Sequence, residues 1–393
     1  MTMNKARQVF PRREYLRRLA AVKSEMARRG ADALVVSFDR NMNYLTGYTA
    51  RSGYIPQGLV VSMQEEEPTI ILRKMDAPAA HHQTFLARDR VIGYPESLIG
   101  NPEKNGYDAV IDFVEELGAA NLSVGLELGN LPPPALDKFR FRLPRAKIVD
   151  FTSVITWIRM IKSDLEIALM REAAAITDAG ILRASDVIRS GVREADAAAE
   201  ILATLARGAN GKAGTSLASF WMNSSPRTGT SHLTWSDEAF RDDSQINLEI
   251  AGVRYTYTAP VSRTFSIGRP SDRLRRVHEA QIVGLDTALE TIRAGRTCSD
   301  VAQAAHRALA KHNVQKESRY GYPVGIDWTE QTASLMEGDM TVLEPNMTFH
   351  VHLGNWIDED FGVMVSQCIR VTESGVEVLT KAPLKLFELP SAA

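Results

Sequence analysis

The sequence predicts an α/β (α+β) protein in two parts. Three observations carry this. Apolar strand-like runs alternate with helix-like segments over the first part of the chain. A long helical stretch then begins near residue 163, and beyond it the chain is β-rich with helices interspersed. The length, 393 residues, is enough for two substantial cores. The boundary is placed at 155, giving parts of residues 1–155 and 156–393.

Each element has a local cause. Residues 12–29 carry Leu16, Leu19, Val22 and Met26 at helical spacing, and Gly30 follows as a stop. "ALVVSF" (33–38) reads as a buried strand. "GLVVSM" and "PTIILR" are two more, joined by the polar "QEEEP". "DAVIDFVEEL" (108–117) reads as a helix and "LSVGLEL" as a strand, and this part closes near "AKIVDFTSVITWIR". Ser163 then has Glu166 three residues on, the spacing of a capping box, and a helical pattern runs to Gly191. "READAAAEILATLARGA" is a second helix. Strand-rich segments follow: "SLASFWMNS", "QINLEIAGVRYTYTAPVSRTFSIG", "MTFHVHLGNWI" and "FGVMVSQCIRVT". Two further helices lie among them, "DRLRRVHEAQIVGLDTALETIRAG" and "CSDVAQAAHRALAKHN".

Composition narrows the function. A formal net charge of -2, from 46 basic and 48 acidic residues, argues against nucleic acid or anionic lipid as partner. The short basic run 271–276 ("SDRLRR") reads as a solvated helix face. Cys298 and Cys368 are too few for a disulfide framework or a thiolate metal site, which fits a reducing compartment. The first thirty residues lack the apolar core of a signal peptide, and no stretch reaches the length of a membrane span. A cytoplasmic protein without membrane association is expected.

Two strand faces hold chemistry-bearing residues. In "INLEIAG", Ile246, Leu248 and Ile250 alternate with Asn247 and Glu249, so the polar pair shares one face. In "FHVHL", His350 and His352 share a face, and Phe349 and Val351 take the other. The histidine pair could be a metal site, a proton relay or a solvated face. His232, in "GTSHLTW", is a further candidate, since an ordinary imidazole with a pKa of about 6.5 suits proton transfer at neutral pH.

Several blocks together resemble the aminopeptidase P, prolidase and creatinase superfamily. They are "NMNYLTGY", "WIRMIKSDLEIALMREAAAI", "VSRTFSIG", "LEPNMTF" and "IRVTESGVEVLT", in that order along the chain. The resemblance implies a creatinase-like N-terminal α/β domain followed by a pita-bread catalytic domain, in a homodimer. Metal enzymes of this group use two carboxylates eleven residues apart, then a histidine and two glutamates. Counting back from Arg263, Thr264 and Phe265, the second carboxylate position is Pro260 and the first is Glu249. The block "GYPVG" puts Tyr322 at the histidine position, and His352 and Ser366 stand at the two glutamates. Only Glu249 keeps an anionic donor, whereas a divalent-metal pair wants several hard anionic oxygens. No metal and no cofactor are expected.

Within the superfamily, "NMNYLTGYTARSGYIPQ", "RYGYPVGIDWTE" and "MTFHVHLGNWIDEDFGVMVSQCIRV" look most like the metal-free ectoine hydrolases. Creatinase keeps a glutamate at the position of His352 and another near Ser262, so their absence points to a different substrate. The implied reaction is metal-independent hydrolysis of the cyclic amidine of ectoine, or 5-hydroxyectoine, to N-acetyl-L-2,4-diaminobutyrate. The substrate is a small zwitterion. Glu249 can pair with the amidinium, attack its carbon, or take a proton from an attacking water. The resemblance makes His232 a substrate-binding histidine. His352 is assigned to substrate contact or to protonating the leaving ring nitrogen, with His350 beside it. Tyr322 and Trp356 are aromatic walls for the cation. Arg51 and Tyr54 lie in "TARSGYIPQ", a loop that creatinase-type enzymes project into the partner's site, where Arg51 could clamp the carboxylate. The alternatives are a creatinase-like hydrolase of another small amidine or guanidine, an Xaa-Pro peptidase, and a non-catalytic binding module.

Overall fold

The computed structural model describes residues 5–50 and 53–391. It divides into two compact units, Met1–Arg159 and Met160–Ala393.

In the first unit, helix α1 (Arg12–Arg29) ends at Gly30, whose φ of 67° is the left-handed conformation that glycine adopts without steric cost. It is followed by β1 (Ala33–Val36), α2 (Asp39–Thr46), β2 (Gly58–Ser62), β3 (Thr69–Arg73), α3 (Ala77–Gln83) and β4 (Val91–Tyr94). Then come α4 (Gly106–Glu116), β5 (Ser123–Leu126), α5 (Pro133–Arg142), β6 (Lys147–Asp150) and α6 (Val154–Met160). One sheet runs β4-β3-β2-β1-β5-β6. Val35, Val60, Ile71 and Leu126 of the sheet pack with Val110, Ile111 and Phe139 of α4 and α5.

The second unit holds α7 (Asp164–Val187), α8 (Glu194–Arg207), β7 (Trp221–Ser224), β8 (Gln245–Arg254) and β9 (Tyr257–Ile267). It continues with α9 (Asp272–Thr291), α10 (Cys298–Ala310), β10 (Gly321–Pro323), β11 (Thr348–Asp358), β12 (Phe361–Val371), β13 (Val376–Val378) and β14 (Phe387–Leu389). The capping box at α7 forms as the spacing predicts. The Ser163 hydroxyl accepts from Glu166 N–H, and the Glu166 carboxylate accepts from Ser163 N–H. The helix ends at Val187, short of the predicted Gly191, because the backbone at Ile188 is already extended.

Two four-stranded sheets organise this unit, β14-β9-β8-β7 and β10-β11-β12-β13. Each has one greasy face and one polar face, as the pleat dictates. Ile246, Leu248, Ile250, Val261 and Phe265 form a core with Ile176 and Ile181 of α7 and Ile201 of α8. Phe349, Val351, Leu353, Val365 and Ile369 form a second core with Leu285 of α9 and Val301 and Leu309 of α10. The polar faces meet. The Ser366 hydroxyl accepts from Ser262 N–H at 2.7 Å, and the Thr264 hydroxyl accepts from Met364 N–H at 3.0 Å and donates to Asn247 Oδ1 at 2.8 Å. Arg263, fully buried, donates to the carbonyls of Ser262, Ser366, Ala382 and Pro383. Glu249 and the histidine strand therefore face each other across a polar seam between two helix-backed sheets.

Close approach fixes α7 on β8. Gly252 N–H donates to the Thr177 hydroxyl at 2.8 Å, which itself donates to Ala259 O at 2.6 Å. A Cβ on Gly252 would overlap the Ala173 carbonyl and stand 2.7 Å from Ile176 Cβ. Both obstacles belong to the helix body and cannot swing away. Gly252→Ala is expected to destabilise the protein by about 2–3 kcal/mol, read as a lower urea midpoint at unchanged m value.

Candidate active site

Glu249 lies at the middle of β8, opposite Ser262 of β9 and Trp221 of β7 in the strand register. It is 6% exposed. Burial pushes its carboxyl up to about 7, and the contact with Ser262 opposes the shift. The only imidazole within ion-pair range among the described residues is His350, with Nδ1 3.7 Å from Glu249 Oε1.

His350 is held at both nitrogens. Nδ1 is 3.0 Å from the Tyr322 hydroxyl, and Nε2 is 2.5 Å from Ser366 Oγ. Burial first, then the charges of Arg263 and Arg319, push its pKa down to about 3, so the ring is neutral. Ser366 already accepts from Ser262 N–H, so its own proton is free for His350 Nε2. That arrangement puts the ring proton on Nδ1, facing Tyr322 and Glu249. The Tyr322 hydroxyl also accepts from Trp328 Nε1–H at 3.0 Å, and burial raises its pKa beyond the ordinary range.

His352 shares the face, its ring 5.2 Å from that of His350. It pairs with Ser366 in register and stacks on Trp356 at 6.1 Å with a 20° tilt. Gly354 makes this stack possible, because a Cβ there would collide with the His352 ring and stand 2.8 Å from Trp356 Cη2. Burial, then the charges of His350, Lys316, His232 and Arg319, hold His352 well below the ordinary imidazole pKa. In the free protein it is an N–H donor or acceptor without charge, where the sequence suggested an imidazolium. Trp356 also lines a cavity of about 820 Å³ with Gln315, Ser318, Gly354 and Asn355.

Two buried polar atoms in the His352–Trp356 stack have no hydrogen-bond partner among the described residues, His352 Nε2 and Trp356 Nε1. Native interiors rarely leave such atoms unsatisfied, so a polar ligand is the natural complement. His232 is exposed on the loop after β7, at a left-handed φ of 56°, and its ring meets Trp221 edge-on at 5.4 Å. Through Trp221 it adjoins Glu249.

The structure thus brings together Glu249, His350, His352, Tyr322 and Trp356, with His232 at the margin. Arg51 lies outside the described residues. Tyr54 belongs to the first unit and is 81% exposed. Sequence reasoning missed Arg319, Lys316 and Trp328, and read Ser262 and Ser366 only as lost positions. Tyr257 is a core anchor whose hydroxyl is 2.7 Å from Glu166 Oε1.

Family comparisons agree with this architecture. The model of Metallopeptidase family M24 matches residues 168–373, and that of the Creatinase/Prolidase N-terminal domain matches residues 18–161. The chain belongs to the M24 family. A relative from Sinorhizobium fredii, Uncharacterized hydrolase/peptidase y4tL, is 61% identical over 98% of this chain and 99% of its own. The ectoine hydrolase of Halomonas elongata is 36% identical over 96% of this chain and 98% of its own. Among solved structures, the Xaa-Pro dipeptidase from Bacillus anthracis aligns with a TM-score of 0.83 at 22% identity, covering 95% of this chain and all of that one, which shows the shared fold. The chain is therefore a hydrolase-family protein with a creatinase N-terminal domain and an M24 pita-bread domain.

The family description names a metal, and the residues here do not fit one. The five positions that the resemblance assigns to ligands carry Glu249, Pro260, Tyr322, His352 and Ser366. Tyr322 and Ser366 are committed to His350, and Pro260 offers no donor. Among the described residues no three His, Cys, Asp or Glu side chains come together as a metal-holding group. Nor is any described helix long and apolar enough to cross a membrane.

Proposed function

We propose that this protein is a metal-independent hydrolase of a small cyclic amidine, with ectoine as substrate, working as a homodimer. The observation that carries the reading is Glu249: a buried carboxylate with no cation beside it among the described residues, at a site that also holds two unsatisfied buried nitrogens. An amidinium supplies the missing positive charge. Its arrival favours the ionised carboxylate, because an opposite charge in a low-dielectric site lowers the pKa that burial had raised. The likeness to the Halomonas ectoine hydrolase supports the substrate, and the donor set at the five ligand positions supports chemistry by side chains alone.

The proposed steps use the groups that meet at this site. Glu249 supplies the oxygen nucleophile, either by direct addition to the amidine carbon or by deprotonating a water that adds there. A C–O bond forms and the C=N electron pair moves to a ring nitrogen. That nitrogen leaves as the C–N bond breaks, taking the proton that Glu249 drew from the water and that His352 relays, and the carbon ends as an amide carbonyl. In the direct route the carbon is first left bound to Glu249, and the departing nitrogen takes its proton from solvent through His352. A water then adds to that carbon as the C–O bond to Glu249 breaks, freeing the carboxylate. Water has then been added across one C–N bond. His350 acts as a positioning residue. Its Nδ1–H faces Glu249, and its Nε2 is pinned by Ser366.

The direct test is turnover by chelator-treated protein. Ectoine, 5-hydroxyectoine, creatine and a Gly-Pro dipeptide are offered in parallel and products are followed by mass spectrometry. Ectoine hydrolysis undiminished by chelator is the expected result. Dipeptide cleavage that returns on adding manganese would overturn the reading.

A further inference from the structure

Arg319 stands just ahead of β10, half-buried, with its guanidinium carbon 4.4 Å from the centroid of the Tyr322 ring. Its hydrogen bond to protein is a long one, Nη1 to Ser334 Oγ at 3.3 Å. Of the other arginines buried or partly buried in this unit, Arg189 and Arg263 are satisfied by backbone carbonyls, whereas Arg254 meets Glu172 at 2.7 Å, Arg227 meets Glu194 at 2.5 Å, and Arg370 meets Glu377 at 3.2 Å, each an acid. Arg319 has none among the described residues. A guanidinium carries five donors in a planar fork, and Nε and Nη2 of Arg319 remain unclaimed. Burying such a charge without an anion is unfavourable, and a ligand anion would offset that cost.

Its place gives the ligand a direction. The Tyr322 ring under Arg319 ends in a hydroxyl 3.0 Å from His350 Nδ1, which is 3.7 Å from Glu249 Oε1. One tyrosine and one imidazole edge thus separate a free cation from a free carboxylate. Lys316 adds donors more than charge to this side, since burial lowers its pKa to about 7. It is buried, and its amine donates to Ser318 Oγ and Gly354 O at 2.7 Å each, with no carboxylate partner. A compact zwitterion matches this polarity, with its cation toward Glu249 and its anion toward Arg319.

We propose that Arg319 anchors the substrate carboxylate and makes the site specific for amino-acid-like amidines over uncharged ones. The assignment rests on the amidine reading above. Arg319 is a specificity residue here. It holds the ligand by a forked charge-assisted pair, so that the amidine carbon stands at Glu249.

The test measures binding and turnover of two ligands, ectoine and its carboxamide, by wild type, Arg319→Met and Arg319→Lys, with folding checked by circular dichroism. Wild type is expected to bind ectoine more tightly than the carboxamide. Arg319→Met should weaken ectoine binding by about 10- to 100-fold, chiefly through KM, and leave carboxamide binding within about twofold. Arg319→Lys should recover part of the loss, since it restores charge but not the fork. Equal loss for both ligands, or ectoine binding unchanged in Arg319→Met, overturns the assignment while wild-type ectoine turnover leaves the amidine reading standing. Wild type that neither binds nor hydrolyses ectoine overturns that reading, and the Arg319 assignment falls with it.

Discussion

Glu249→Gln is expected to lower turnover by at least about 10³-fold while leaving the protein folded. The amide keeps the shape of the carboxylate and its place opposite Ser262, so a fall in activity reports the lost charge and nucleophilicity. The same variant has a signature in stability. The carboxyl of Glu249 lies near 4.5 in an unfolded chain and is raised to about 7 in the folded protein. Below pH 4.5 both states hold the proton and the residue is neutral to stability. Between 4.5 and 7 the unfolded chain ionises first, so wild-type stability declines as pH rises, by an amount on the order of 3 kcal/mol above pH 7. Gln carries no such liability. Its melting temperature should exceed that of wild type by several degrees at pH 8, and the gain should vanish near pH 4. Turnover within tenfold of wild type would remove Glu249 from the reaction. A gain in stability that did not change with pH would mean that its carboxyl is not held up by burial.

His352→Phe is expected to lower kcat by about 10²-fold or more, with little change in KM. Phenylalanine preserves a ring to stack on Trp356 and fills the space over Gly354. What it removes is Nε2, the buried nitrogen that has no protein partner. Folding should survive, because deleting an unsatisfied polar atom relieves a desolvation cost. Pre-steady-state kinetics separate the possibilities. If His352 delivers the proton to the departing nitrogen, the chemical step slows while ectoine still binds. A variant that bound poorly but reacted at the normal rate would make His352 a contact residue only.

Much of this arrangement can be read locally. Strand alternation puts Asn247 and Glu249 on one face and His350 and His352 on another, and the two apolar cores lie where Ile246, Leu248, Phe349 and Val351 point. Ser163 and Glu166 announce the start of α7 through a three-residue pattern. Other elements escape because their signals are weak. Helix α2 is short and polar. It is held by Asn41, whose amide donates to buried Glu127 and whose oxygen accepts from Arg159 at 2.7 Å, contacts far away in sequence. Helix α5 begins on consecutive prolines and shows no clear apolar stripe. In the site, Ser262 and Ser366 meet across 104 residues, and Arg319 shows its meaning only through the acid it lacks. Pairings of this kind depend on how two sheets face each other, which no local period encodes.

The Ser262–Ser366 contact has a wider consequence. A cleft between two sheets needs contacts that hold its walls at a fixed spacing. Here the halves are sewn together by their own hydroxyls and amides, with Arg263 knotted into the Ser366 carbonyl and Thr264 paired with Met364. Under the metal-free reading proposed above, rigidity of the cleft becomes a property of the chain itself.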